Sequence, residues 1–336
     1  MTVFIAGATG VLGRRLVDRL ADRGYEVVGL ARDASGERLV ERHGGTARRG
    51  DVLESETLAT AVPDDVEVLI HAATAIPDST KPSDEEWTRN DRVRLQGVKN
   101  LLDVAPSGLQ HVLFPSVVWV ARQPDGSRFD ETADRHPDRA TRSAAEVEEL
   151  LERRGTTADF DATVLRCGFL YAPDARDTRE WGRRLLDGDL PIVGGGILGR
   201  QDAELAFVHA DDAAAAFVAA IETESTGVYH VVDDRPVTGA TFFETFAALL
   251  DAPEPSRVPA WLARFFIGKI NADGLTSPMP TTNEKARREL GWEPEYPTYR
   301  DGLKQVVETW DADGTLAELH PESTAETTSR SPGEAA

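Results

Sequence analysis

Three glycines close to the first residue, in Gly7-Ala8-Thr9-Gly10-Val11-Leu12-Gly13, constrain the fold more than any other feature of the chain. They follow an apolar run, Val3–Ala6, and open a stretch with helical periodicity. A strand that turns through glycines into a helix presents backbone N–H groups and the positive end of a helix dipole to an anion. The glycines allow a tight turn, close approach of backbone to phosphate, and close packing of helix on strand. Spacing alone is weak evidence, because an ordinary loop can carry it. The flanking strand and helix give it weight. We read the turn as a dinucleotide cradle with Gly7, Thr9, Gly10, Val11, Leu12 and Gly13 as its contacts.

The rest of the first half has the rhythm such a cradle requires. Apolar strand-like runs at Val3–Ala6, Glu26–Ala31, Val66–His71, His111–Ser116 and Ala162–Cys167 alternate with helical segments near 11–23, 36–43, 87–105 and 142–154. Apolar strands separated by helices predict an α/β fold with a doubly wound, Rossmann-type parallel sheet. Residues 1–167 are expected to form the NAD(P)-binding domain, and 168–312 a smaller substrate-covering region interleaved with it. In that region Asp211 is read as capping an Ala-rich helix that runs to Glu222. Val228–Val232 reads as a strand returning to the sheet. Thr238 precedes a helix, and more helices are expected at 259–270, 283–290 and 299–310. Residues 313–336 are polar and read as a disordered tail.

Composition narrows the partners. The formal charge is -21, carried with 32 Arg against 5 Lys. Such a surface repels nucleic acid and anionic membranes, and a small-molecule substrate is expected instead. An acidic, lysine-poor chain also fits a high-salt cytoplasm, although codon usage in a GC-rich genome gives the same Arg excess. No apolar run reaches the roughly 20 residues of a membrane span, and no secretion signal is read, so a cytoplasmic protein is expected. The lone Cys167 reads as a buried small hydrophobe, and no metal is expected.

The glycine spacing resembles that of the extended short-chain dehydrogenase/reductase superfamily, in particular its epimerase-like branch. Further segments carry the resemblance in order. These are Asp51-Val52, His71-Ala72-Ala73, Gly97–Leu102, Pro115–Val118, Leu165–Pro173, Phe207–Asp212 and Leu290–Pro294. The resemblance implies that Asp51 and Val52 meet the adenine and that His71, Ala72 and Ala73 lie beside the cofactor. At the end of the second strand, Arg32 suits a 2′-phosphate, whereas an acidic residue would accept ribose hydroxyls. Arg32 comes first and Asp33 second. NADP(H) is expected, with NAD as the alternative.

In that superfamily a Tyr, with a Lys four residues later on one helical face, carries the proton. The matching segment places Ala140 at the Tyr position and Ala144 at the Lys position, and no Tyr-x-x-x-Lys occurs anywhere. Arg94 also replaces the family's helix Asn. Ser116 matches the substrate-binding Ser, and Tyr171 is the first candidate for a substitute donor. Thr141, Arg142 and His209 come after it, and Lys99 reads as solvated. The expected function is an atypical NADP(H)-dependent oxidoreductase of a small carbonyl or alcohol, monomeric or dimeric through helices 87–105 and 142–154. The alternatives are a non-catalytic NAD(P)H sensor or complex subunit, and a sugar-nucleotide epimerase or dehydratase.

Overall fold

A computed structural model describes residues 1–155, 160–194 and 202–319. The first half runs β1 (Thr2–Ala6), α1 (Val11–Ala21), β2 (Glu26–Ala31), α2 (Ala34–Arg42), β3 (Thr46–Arg49), α3 (Ser55–Ala61) and β4 (Val66–His71). Helix α4 (Asp84–Asp91) passes through a π-helical turn, Arg92–Gln96, into α5 (Gly97–Val104). Then come β5 (His111–Val117), α6 (Arg142–Gly155) and β6 (Asp161–Cys167). The second half holds β7 (Phe169–Tyr171), α7 (Arg176–Leu186), β8 (Ile192–Val193), β9 (Glu204–Leu205), β10 (Phe207–His209) and α8 (Ala210–Glu222). It continues with β11 (Gly227–Val231), β12 (Val237–Thr238), α9 (Gly239–Leu249) and β13 (Arg257–Val258). The last helices are α10 (Ala260–Thr276), α11 (Glu284–Leu290), α12 (Tyr299–Asp313) and α13 (Thr315–Leu319).

Seven strands form one parallel sheet in the order β11-β6-β5-β4-β1-β2-β3. The chain leaves β1 towards β2 and β3, then returns to place β4 on the other side of β1. Loops at the carboxyl ends of β1 and β4 therefore part, and a crevice opens at that switch point. The period of two along β1 sends Val3 and Ile5 to one core, and Phe4 and Ala6 to the other. The first core is closed by α1 and α8 through Leu16, Leu20 and Phe217. The second is closed by α3, α5 and α6 through Leu58, Leu101 and Leu151. A separate core around Phe207, Phe242, Phe246 and Trp310 holds the second half together.

Several elements depart from the sequence reading. Strand β3, Thr-Ala-Arg-Arg, has no apolar run, yet it pairs with β2 as the sheet's edge, where side chains reach water. The helix expected from 87 begins at Asp84, where Ser83 and Glu86 form a reciprocal capping box. Helix α8 is capped by His209 rather than Asp211. The imidazole Nδ1 accepts the Asp211 N–H, while the Asp211 carboxylate in the first turn takes Arg15. The expected tail is ordered at its start, because Asp313 ends α12 and α13 packs on α7 with Thr315 accepting from Arg179. Residues 320–336, and Gly195 and Gly196 of the glycine run after β8, lie outside the described residues. Cys167 is buried, and burial pushes its thiol up to about 12.

Candidate functional site

The turn after β1 is built from backbone. Gly7 sits at φ 91°, and a Cβ there would meet the Ala72 carbonyl carbon and Ala73 nitrogen at 2.5 Å. A Cβ on Gly13 would lie 2.0 Å from the Gly7 oxygen, so only glycine lets α1 start so close to the strand end. Gly10 donates to Gly7 O at 3.0 Å and caps α1 without any side-chain acceptor. No acid stands in the first turn of α1. Its N–H groups and dipole are left for an anion, and a dinucleotide pyrophosphate fits that cradle. Leu12 contributes backbone only, since its side chain belongs to the core.

A cleft of about 300 Å³ opens above this turn. Its near wall is Gly7, Thr9 and Gly10, and its far wall is Ala72 and Ala73. Asp51 and Val52 close one end. The Asp51 carboxylate accepts Leu53 N–H at 2.9 Å, and Asn100 holds the Val52 carbonyl at 2.8 Å, so this end is fixed by its own hydrogen bonds. Arg32 lines the cleft, is exposed, and takes no part in any ion pair or hydrogen bond among the described residues. Asp33 is engaged elsewhere. It caps α2 by accepting Gly36 N–H at 2.8 Å, and this bond holds its carboxyl below the usual range.

His71 lies beside the cleft rather than in it. Its ring is fully buried, with Nε2 at 3.1 Å from the carbonyls of Val93 and Arg94 in the π turn. Burial drives its pKa down to about 4, so the neutral ring is a donor that ties β4 to the helix. The backbone of the next two residues, not the imidazole, faces the glycine turn.

Beyond the residues that line the cleft lie β5, α6 and β6, where the superfamily pattern places its proton-handling side chains. Ala140 precedes α6, and Ala144 is buried on it. Ser116 is 2% exposed and turns towards α6, where its hydroxyl donates to Glu148 Oε1 at 2.5 Å. Glu148 is gripped by Arg166 through two bonds of 3.0 and 2.7 Å, and Arg135 stands 2.9 Å from its other side. Arg166 also donates to His230 Nε2 at 3.4 Å, and burial together with that cation pushes His230 down to about 3. Ser116 is thus one end of a buried polar bolt joining β5, α6, β6 and β11. The charged residues of this bolt, Glu148 and the Arg166 inside an apolar run, were not singled out from sequence, although Arg within Val-Leu-Arg-Cys was the available signal.

Tyr171 is also turned away from the dinucleotide cleft. Its ring is fully buried between Phe207, His209 and Phe242, and a Cβ on Gly302 would touch its hydroxyl at 2.1 Å. Burial, with Asp233 beside it, raises the phenol well above its ordinary value, so it holds its proton. Thr141 binds Asp138, Arg142 pairs with Asp91, and His209 caps α8 with Nε2 near Gln305. Lys99 is exposed. What does reach Ala140 is Arg94, whose Nη1 donates to its carbonyl at 3.4 Å.

Among the described residues no metal-ligating cluster occurs, and no helix is long and apolar enough to cross a membrane. A 3-diazoavenalumate denitrifying reductase from a Streptomyces species is 35% identical over 310 residues, covering 90% of this chain and 99% of that protein. The photosystem II assembly factor Ycf39 of Synechocystis is 25% identical over 246 residues, 72% of this chain and 65% of that protein. The human epimerase family protein SDR39U1, solved with NADPH, shares the fold with a TM-score of 0.76 at 18% identity, covering 92% of this chain and 99% of its own. A model of the NAD dependent epimerase/dehydratase family matches residues 3–232. With the Rossmann-type sheet and the glycine cradle, that match makes this chain a member of the NAD dependent epimerase/dehydratase family.

Proposed function

We propose that the chain is an NADP(H)-dependent reductase whose acceptor takes hydride without a proton from a tyrosine. The observation that carries this reading is the pairing at the end of β2, with Arg32 free above the cleft and Asp33 spent on capping α2. A guanidinium there pairs with a 2′-phosphate, and the acid that would have favoured ribose hydroxyls is occupied. Gly7, Gly10 and the first turn of α1 hold the pyrophosphate, and Asp51 and Val52 bound the adenine end. When bound, the nicotinamide supplies the hydride.

A small carbonyl compound remains a candidate substrate. The 35% identical relative, named as a denitrifying reductase of a diazo compound, points to a more electrophilic one. A diazo acceptor takes hydride on its terminal nitrogen and then loses dinitrogen. The carbon keeps a hydrogen, and water supplies the remaining proton. Such an acceptor requires no acid at the moment of hydride addition, which suits a chain with Ala140 and Ala144 where the superfamily pattern has Tyr and Lys.

Dissociation constants for NADPH and NADH, measured with wild type and Arg32→Ala, test the cofactor half. Wild type is expected to prefer NADPH about tenfold or more, and the variant to lose that preference. An ortho-quinone diazide, a quinone and an aldehyde, each offered with NADPH, test the reaction. Tight NADPH binding without turnover of any acceptor would favour a second reading, a non-catalytic nucleotide-binding subunit, which the similarity to an assembly factor supports.

A further inference from the structure

Helix α4 does not run straight into α5. Residues Arg92–Gln96 form a π-helical turn with Arg94 at its centre. Such turns are rare and frequently lie at functional sites. Arg94 is 5% exposed. Its Nη1 bonds only a neutral carbonyl, that of Ala140, and its Nε has no hydrogen-bond partner. Among the described residues no carboxylate reaches it at ion-pair distance. Asp91, the acid whose charge acts on it, meets Arg139 at 2.7 Å and Arg142 at 3.0 Å through Oδ2, and its Oδ1 is buried without a hydrogen-bond partner. On the facing helix α6 the Ser143 hydroxyl is also buried without a partner.

A chain of net charge -21 thus keeps a cation out of water here without an ion-pair partner. Burial lowers the Arg94 pKa to about 10, which leaves it charged at neutral pH. An unpaired buried charge is destabilising unless a ligand completes it. Val93, one residue earlier in the π turn, lines the dinucleotide cleft, and Arg94 itself reaches Ala140, the position at which the superfamily pattern places its acid.

We propose that Arg94 is the anion-stabilising group of the cleft, pairing with the oxyanion that hydride addition leaves on the acceptor. This rests on the reductase reading. Hydride forms a bond to the electrophilic atom of the acceptor, and the displaced π pair comes to rest on its oxygen. That alkoxide or phenolate pairs with the guanidinium, and water protonates it on release. Relatives donate a proton at this step, whereas here a fixed positive charge holds the anion.

The test uses the NADP⁺ complex of the full chain and 4-nitrophenol, whose absorbance reports its ionisation. Bound nitrophenol is expected to titrate about one pH unit or more lower in wild type than in Arg94→Met. Arg94→Lys is expected to restore part of that shift. With any acceptor that wild type reduces, Arg94→Met should lower kcat about 10²-fold while NADPH affinity holds and the melting temperature does not fall. Added guanidinium should recover part of the rate. Equal titration in wild type and Arg94→Met, or no nitrophenol binding by wild type, would overturn the proposal. So would a fall in NADPH affinity that accounts for the lost rate. If no acceptor is reduced, the nitrophenol titration still judges Arg94, and only the reductase reading fails.

Discussion

The two ends of the candidate site, the glycine turn in the cleft and the start of α6 beyond it, are built from different materials. At the pyrophosphate end the contacts are backbone groups, and the side chains that matter are the missing ones at Gly7 and Gly13. At the other end everything depends on side chains, and there Ala140, Ala144 and Arg94 depart from the pattern of the superfamily. A backbone site tolerates almost no substitution, because a Cβ collides with main chain that cannot move. A side-chain site can be emptied and refitted while the sheet beneath it stays the same. That contrast explains how a chain keeps a nucleotide cradle and changes the chemistry done above it.

The largest expected effect is at the backbone end. Gly13→Val places branched carbon where even a Cβ stands 2.0 Å from the Gly7 oxygen. It should cost more than about 4 kcal/mol in folding or abolish nucleotide binding outright. Circular dichroism and an NADPH fluorescence titration measure the two outcomes. Unchanged binding would break the contrast.

Beneath the other end lies the Glu148–Arg166 bolt, with both side chains almost fully buried. Glu148→Gln leaves Arg166 short of its counter-charge and should cost about 3–5 kcal/mol in urea denaturation. The double variant Glu148→Met/Arg166→Met removes both charges and should recover much of that loss. A single variant as stable as wild type would show that the bolt does not hold β5, β6 and α6 together.

Acid should next loosen the contact between β4 and the π turn. His71 has a folded pKa of about 4 against an ordinary value of 6.5, so the unfolded chain binds its proton first. Its stabilisation is present above pH 6.5 and is lost as pH falls towards 4, on the order of 3 kcal/mol. His209 and His230 act in the same sense in the second half. There they are opposed by Asp212, raised to about 6, and by Asp233, also raised, which favour the folded state as they protonate. Hydrogen exchange should therefore show β4 and the π turn opening as pH falls from 6.5 towards 4. Unchanged protection there would break this account of His71.

The smallest effect sharpens it. Asp33→Ala removes the α2 cap and should lower the melting temperature by a few degrees without changing the preference between NADPH and NADH. A marked swing towards NADPH would show that Asp33 had been reading the ribose.

Much of the framework could be read from the residues. The alternation of apolar runs and helices gives the doubly wound sheet, because each strand is buried on both faces and each helix on one. Strand β3 escaped that reading because an edge strand is held by main-chain pairing, and its arginines carry no pattern. The cap of α8 was misplaced by two residues because His209 accepts through a ring nitrogen whose direction no propensity records. Ser116 and Tyr171 stand out in the sequence by their motifs, but their orientation is not legible there. One step along β5 sends Ser116 to Glu148, and the turn after β6 sends Tyr171 to Gly302.

The dinucleotide cradle is what the sequence by itself determined, because glycine spacing acts through local backbone geometry that a few adjacent residues settle. The lost Tyr and Lys were equally plain, since an absence is a property of the string. Which groups stand in the emptied place was decided only by the tertiary structure. Arg94 and Ala140 are 46 residues apart and meet through the packing of the π turn on the start of α6. Ser116 and Tyr171 are turned away by the same kind of distant contact. Side-chain direction is fixed by neighbours that folding brings from elsewhere in the chain, and no local pattern carries that information.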